Sequence, residues 1–273
     1  MEIGILIFVG VIGGMIAGLL GLGGGIFYIL LLPYIIASIG IPTDQVTPFV
    51  VANSLIGIAF ASVISLLVQF TDIKKYLSEI AIIGIPAVAI SLIITKYVVH
   101  SSWFSIEFFN VLVILLMIYL LFEISSKNKK SNNTTNTLPN KKIKLNIGLF
   151  SGFTAGLVSA LSGLGGGIVI IPILNIYLKQ NLRKSKIISL GVIFMSSALI
   201  SIQNLLSQPH FQPDNIDTIG FIIPRITIPL IIGVVIGGPL GVKLGGKISD
   251  KTINLMFMFF VILVLLEKII GLL

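Results

Sequence analysis

The chain has no cysteine, two histidines, one tryptophan and a charged fraction of only 10%. Without cysteine there is no disulfide, no thiolate metal site and no thiol nucleophile. His100 and His210 stand far apart in expected loops, which argues against a histidine metal centre. So few charges cannot clothe a soluble domain of 273 residues. The basic excess, a formal net charge of +8, does not mark a nucleic-acid surface either. The lysines gather in short loops between apolar runs, which is a topology signal of membrane proteins.

What fills the sequence is apolar: 56% hydrophobic residues and a mean hydropathy of +1.11. Runs of roughly 20 apolar residues, enough to cross a hydrocarbon layer, follow one another almost without pause. The fold class expected is an all-α polytopic membrane protein. Six continuous spans are read at 47–70, 77–99, 103–124, 187–207, 217–242 and 252–272. The amino-terminal run carries an acid where a signal peptide needs positive charge, so it reads as a retained segment.

Two further runs, 3–39 and 145–178, are broken by glycine. "GLLGLGGGIFYILLLP" (18–33) holds five glycines in eight positions, and "SGLGGGIVIIP" (162–172) nearly repeats it. A shift of 142 residues lays Gly10, Gly14 and Gly21-Leu22-Gly23-Gly24-Gly25-Ile26 onto Gly152, Gly156 and Gly163-Leu164-Gly165-Gly166-Gly167-Ile168. The arms on either side of each break are shorter than a full span. The second run reads as a hairpin on charge grounds. If 145–178 crossed once, lysine and arginine would divide nine against eight; if it returns, fifteen fall on one side against Lys96 and Lys268. Only the second division obeys the positive-inside rule. The chain therefore reads as a first transmembrane repeat (1–124), a polar cytoplasmic linker (125–144) and a second repeat (145–273), each repeat a glycine-broken helical hairpin plus three transmembrane helices. Five crossings per unit is an odd number, which implies inverted repeats, a plan common among secondary transporters.

The glycines admit three readings. Gly10, Gly14 and Gly18, and Gly152 with Gly156, follow the small-xxx-small spacing of close helix packing. A phosphate loop is disfavoured, since no lysine follows the cluster and no strand precedes it. Gly23, Gly24, Gly25 and Gly165, Gly166, Gly167 exceed what packing needs. They permit an unwound turn and a fresh helix start whose first N–H groups lack partners. Such donors, at the positive end of a helix dipole, suit an anion. Two buried turns satisfied by neighbouring side chains is the structural alternative.

These residues resemble the TauE/SafE sulfite exporter family of bacterial and archaeal membrane proteins, marked by two copies of a GxxxGxxGxGGGxxxxP-like signature. Here the copies are Gly14, Gly18, Gly21, Gly23-Gly24-Gly25 with Pro33, and Gly156, Ala160, Gly163, Gly165-Gly166-Gly167 with Pro172. The spacing to proline is longer in the first copy. An AxGTS-like stretch usually follows each signature. Asn53-Ser54 occupies that place in the first half, while only Ser189 or Gly191 stands there in the second. The resemblance spans essentially the whole chain. It implies transport of a small sulfur-containing anion, sulfite or an organosulfonate, outward across the inner membrane. An anion channel, or an importer of a related anion such as thiosulfate, stays open beside it.

The substrate-binding set expected is Gly23, Gly24, Gly25, Asn53, Ser54, Gly165, Gly166, Gly167 and Arg225. Arg225 reads as lying about eight residues inside a span, where an arginine either forks onto an anion, snorkels to the surface or pairs with an acid. Gln69, Gln203 and Asn204 read as interhelical hydrogen-bonding residues, Glu79, Glu107 and Glu123 as interfacial acids, and Trp103 as an interface anchor. Glu79 and Glu107 are the candidates for a coupling proton. No cofactor, metal or enzymatic centre is expected, since no nucleophile–base pair or paired acids lie within the spans. Expected partners are a small anion, a coupling proton or sodium ion, membrane lipid and, as an open option, a second copy of the chain.

Overall fold

A computed structural model describes residues 2–99, 101, 104–130, 143–209 and 217–270. His100, Trp103, His210 and most of the expected linker fall outside these residues, and the side chain of Glu123 does too. The described chain is helical, with one isolated β-bridge between Ile219 and Ile222. In order, the helices are α1 (Glu2–Leu20), α2 (Gly25–Ser38), α3 (Thr43–Leu67), α4 (Phe70–Ile73), α5 (Leu77–Ile94), α6 (Ile106–Lys130), α7 (Leu145–Ser162), α8 (Gly167–Pro172), α9 (Leu182–Leu206), α10 (Pro224–Gly245) and α11 (Asp250–Ile270). Among the described residues, six helical runs are long and apolar enough to cross a membrane: Ile3–Leu20, Gln45–Leu67, Phe70–Val99, Leu145–Ser162, Leu182–Leu206 and Pro224–Gly245. This is a polytopic α-helical membrane protein.

Close packing starts from the small residues. Gly10 of α1 lies on Leu230 and Gly233 of α10, Gly14 on Val234 and Gly238, and Gly18 on Gly241 and Val242, so the two helices run parallel. A methyl group on Gly10 would stand 2.0 Å from the Leu230 carbonyl oxygen, a distance only a bare α-carbon avoids. Gly233, Gly237 and Gly241 return the same contact onto α1. In lipid, where apolar side chains gain little by leaving the solvent, such backbone approach is what holds helices together. The second half repeats the arrangement with a different partner: Gly152 of α7 lies on Ile83 and Pro86 of α5, and Gly156 on Ala87. Helices α1 and α7, which carry the two glycine signatures, thus pack along α10 and α5, both far from them in sequence.

Helices α3 and α9 cross at the centre and run antiparallel. Asp72, just beyond α3, meets Arg183 in the first turn of α9 at 2.6 Å. Leu66 shares a small core cluster with Ile187 and Leu190. Both hairpins double back. Residues at the start of α1 (Ile3, Ile5, Leu6) and at the end of α2 (Ile35, Ser38, Ile39) line one cleft, so α2 returns to the end from which α1 set out. In the second hairpin Gly166 lies against the Ala155 carbonyl of α7.

Local structure departs from the sequence reading at four places. The expected basic loop 71–78 is largely helical, through α4 and a 3₁₀ turn at Lys74–Tyr76. Helix α6 continues to Lys130, into the expected linker. The span expected from 217 starts as helix only at Pro224, because Gly220 turns left-handed (φ 59°) and proline favours the first helical position. Finally α2 absorbs Pro33 and stays α-helical, whereas α8 passes at Pro172 into a π-helical turn, Ile173–Tyr177. Proline lacks an N–H and crowds a preceding carbonyl, so the helical hydrogen bonding is interrupted there.

Candidate functional site: the paired glycine turns

The turns obey one geometry twice. Gly21, Gly23 and Gly24 have φ of 76°, 77° and 79°; Gly163, Gly165 and Gly166, each 142 residues on, have 62°, 88° and 67°. This left-handed region strains any L side chain. Space forbids one as well: a methyl group on Gly24 would lie 2.3 Å from the Gly13 carbonyl oxygen, and one on Gly166 would lie 2.6 Å from that of Ala155. Both turns are buried in protein.

The two turns touch. The Gly25 α-carbon faces the backbone of Leu164, and that of Gly167 faces the carbonyl of Gly21 and the hydroxyl of Ser189. Gly23 and Gly165 both face the same two side chains, Ile58 of α3 and Ile193 of α9. Two serines clamp the pair crosswise. Ser54 of α3 donates to the Gly163 carbonyl (2.8 Å), and Ser189 of α9 donates to the Gly21 carbonyl (2.9 Å). Ser189 is thus the counterpart of Ser54. Its displacement in sequence has a simple origin, since the stretch from the turn to the serine is seven residues shorter in the second half (Gly167 to Ser189) than in the first (Gly25 to Ser54).

These clamps engage carbonyls, not amides. The Gly21 amide bonds Ala17, the Gly163 amide bonds Ser159, and the Gly167 amide bonds Gly165. Among the described residues no acceptor meets the amides of Gly23, Gly24 and Gly25, nor those of Gly165 and Gly166. Buried N–H groups are rarely left in this state. Several amides of the two touching turns are thus buried without an acceptor among the described residues.

The remaining expected residues are placed elsewhere. Asn53 is a bracket: it donates to the Phe49 and Phe221 carbonyls (2.7 and 3.0 Å) and accepts from the Ile223 amide (2.9 Å), which fastens the non-helical approach to α10 onto α3. Arg225 lies in the first turn of α10, exposed, beside the cleft formed by the ends of α1 and α2. That cleft holds about 200 Å³. Roughly 15 residues of α1, or about 22 Å of helix, separate its level from the turns. Arg225 therefore joins neither turn.

Sequence reasoning missed a buried pair. Glu79, expected at a solvated interface, is only 9% exposed and lies 3.4 Å from the ammonium of Lys184, itself 3% exposed and 5.3 Å over the Tyr76 ring. The two are 105 residues apart, on α5 and α9, and no local spacing could join them.

The sequence profile described as sulfite exporter TauE/SafE matches residues 6–267, nearly the entire chain. The chain belongs to the TauE/SafE family. It is 30% identical over 254 residues to a probable membrane transporter protein of Methanocaldococcus jannaschii, covering 92% of this chain and 90% of that one. It is 24% identical over 276 residues to a probable membrane transporter protein of Bacillus subtilis, covering 97% and 96%. No solved structure matches. This TauE/SafE chain is accordingly a multi-pass membrane transporter with a small substrate. Within it, the doubled glycine signature corresponds to the doubled turn.

Proposed function

We propose that the protein is a secondary transporter of a small anion, sulfite or an organosulfonate, which binds at the paired glycine turns and leaves the cell across the inner membrane by alternating access. The observation that carries this reading is the juxtaposition of two left-handed glycine turns in which the amides of Gly23, Gly24, Gly25, Gly165 and Gly166 meet no acceptor among the described residues. Gly23, Gly24 and Gly25 from one half, and Gly165 and Gly166 from the other, supply the donors; Gly167, whose amide is taken by the Gly165 carbonyl, lines the turn, and Ser54 and Ser189 hold the two turns in register. The family's description supports sulfur oxyanions as the substrate class.

The halves form an inverted pair in this account. Antiparallel α3 and α9, with α1 parallel to α10 and α7 to α5, support that relation, and the gathering of lysines on one side argues for a cytoplasmic linker. Rocking one half against the other carries the turns from inner to outer water. A proton or sodium gradient drives the cycle. Asn53 acts as a positioning residue, and Arg225 as a cation that draws anions toward one mouth.

The test is flux of labelled sulfite, alkanesulfonates and thiosulfate in proteoliposomes with imposed proton and sodium gradients. Saturable flux driven uphill by a gradient supports the carrier. Flux that never saturates and only runs downhill favours the channel, and inward-only movement of thiosulfate favours an importer.

A further inference from the structure

Three side chains beside the turns have no part in the clamp. Ile58 and Ile193 come one from each half, and their Cγ2 atoms converge on the same two glycines. A methyl group on Gly23 would lie 2.7 and 3.2 Å from them, and one on Gly165 would lie 3.0 and 3.2 Å from them. Both isoleucines are fully buried. Ser62, one helical turn beyond Ile58 on α3, is the third. It is fully buried, its hydroxyl has no hydrogen-bond partner, and Oγ lies 3.6 Å from the methyl position of Gly23. Its counterpart on α9, Ser197, is also buried but donates to the Ile193 carbonyl at 2.6 Å.

A hydroxyl buried without a partner destabilises a fold, and it does so here 3.6 Å from the methyl position of Gly23, in the turn whose Gly23 and Gly24 amides also meet no acceptor. Donors left bare together have a common acceptor in the working protein. The isoleucines answer a different need. Branched at Cβ, they are stiff, and being drawn from opposite halves they must separate when the halves move.

The geometry points to Ser62 as a direct ligand of the transported anion beside the Gly23 and Gly24 amides, and to Ile58 and Ile193 as paired apolar jaws that limit its size. This inference rests on the transport reading above and narrows its substrate class. The passenger is a compact oxyanion whose oxygen accepts from the serine and the amides, and whose remaining volume is no more than a methyl-sized group. An apolar slot discriminates by roughly 10-fold or more per methylene. Longer alkanesulfonates should therefore be excluded by the jaws rather than by the donors.

The experiment measures labelled sulfite flux in proteoliposomes, with methane-, ethane- and propanesulfonate as competitors. Wild type is compared with Ile58→Ala, Ile193→Ala, Ser62→Ala and Ser197→Ala. Each isoleucine variant is expected to improve inhibition by propanesulfonate relative to methanesulfonate about tenfold. Ser62→Ala is expected to raise the sulfite KM about tenfold, with Ser197→Ala within twofold of wild type. A propane-to-methane ratio unchanged in both isoleucine variants, or equal KM shifts at the two serines, overturns the inference while the transport reading stands. A wild-type protein that moves none of these anions fails at the earlier step and overturns the transport reading itself. A variant that does not fold is replaced by Ile58→Val or Ile193→Val, for which the same ratio must shift by at least twofold.

Discussion

Helices α3 and α9 meet the glycine turns with the same residues in the same order: Ser54, Ile58 and Ser62 on one, Ser189, Ile193 and Ser197 on the other. Away from the crossing they differ in kind. Where α3 carries Phe49 and Val51, α9 carries Lys184 and Lys186. The Phe49 and Phe221 rings pack tilted at 5.4 Å, an apolar contact, whereas Lys184 lies buried against Glu79 and Tyr76. Val51 flanks Gly163, and Lys186 flanks Gly21. The shared part is what the turns demand; the divergent part is what each approach to them supplies. One end of this pair of helices is apolar around Phe49, and the other is charged around Lys184.

The sharpest way to break this comparison is at the shared part. Gly24→Ala and Gly166→Ala each force a methyl group into a carbonyl oxygen at a left-handed backbone position. Both are expected to reduce flux at least 100-fold, and by similar factors. Matched fluxes near wild type would separate the turns from transport. A large loss in one variant alone would make the turns unequal partners.

The divergent part comes next. Lys184→Met leaves the Glu79 carboxylate buried without its cation, a change that costs about 3–5 kcal/mol in comparable buried pairs. Thermal unfolding in detergent should show a drop of several degrees, with most of it recovered in the Glu79→Leu/Lys184→Met double variant. Phe49→Leu, at the equivalent place on α3, should cost less and should show no coupling to Glu79. Equal losses from Lys184→Met with and without Glu79→Leu would mean that the pair is not an energetic unit.

A smaller effect belongs to the clamps. Ser54→Ala and Ser189→Ala each leave a buried turn carbonyl without its donor, at about 1–3 kcal/mol. The two are expected to lower the unfolding midpoint by matching amounts, and a twofold disparity would contradict their equivalence. Smallest is Arg225→Gln, expected to change sulfite flux less than threefold and to reduce its salt dependence, since an exposed cation acts through the screened field.

Much of this architecture is legible in the sequence alone. Hydropathy found the helices because a bilayer imposes a length on them, and the glycine repeat found both turns because left-handed backbone next to a carbonyl excludes other residues. The small residues on α1 and α7 announced close packing but not with whom. The matching Gly233, Gly237 and Gly241 on α10 were a visible signal for one partner. Other features had no local signature. Ser62 looks like any helical serine until Gly23 is placed beside it, and Glu79 looks interfacial until Lys184 arrives from the other half. Arg225 was read too deep because hydropathy runs straight through 217–223, while Gly220 and Pro224 set the helix start.

The central claim is that bare amides of the paired turns hold the anion. Diffraction at the selenium edge from the protein with selenite, the selenium counterpart of sulfite, locates that anion directly. The account predicts selenium between the turns, with its oxygens about 3 Å from the amides of Gly23 and Gly24. Selenium found instead in the cleft beside Arg225, with none between the turns, would contradict it.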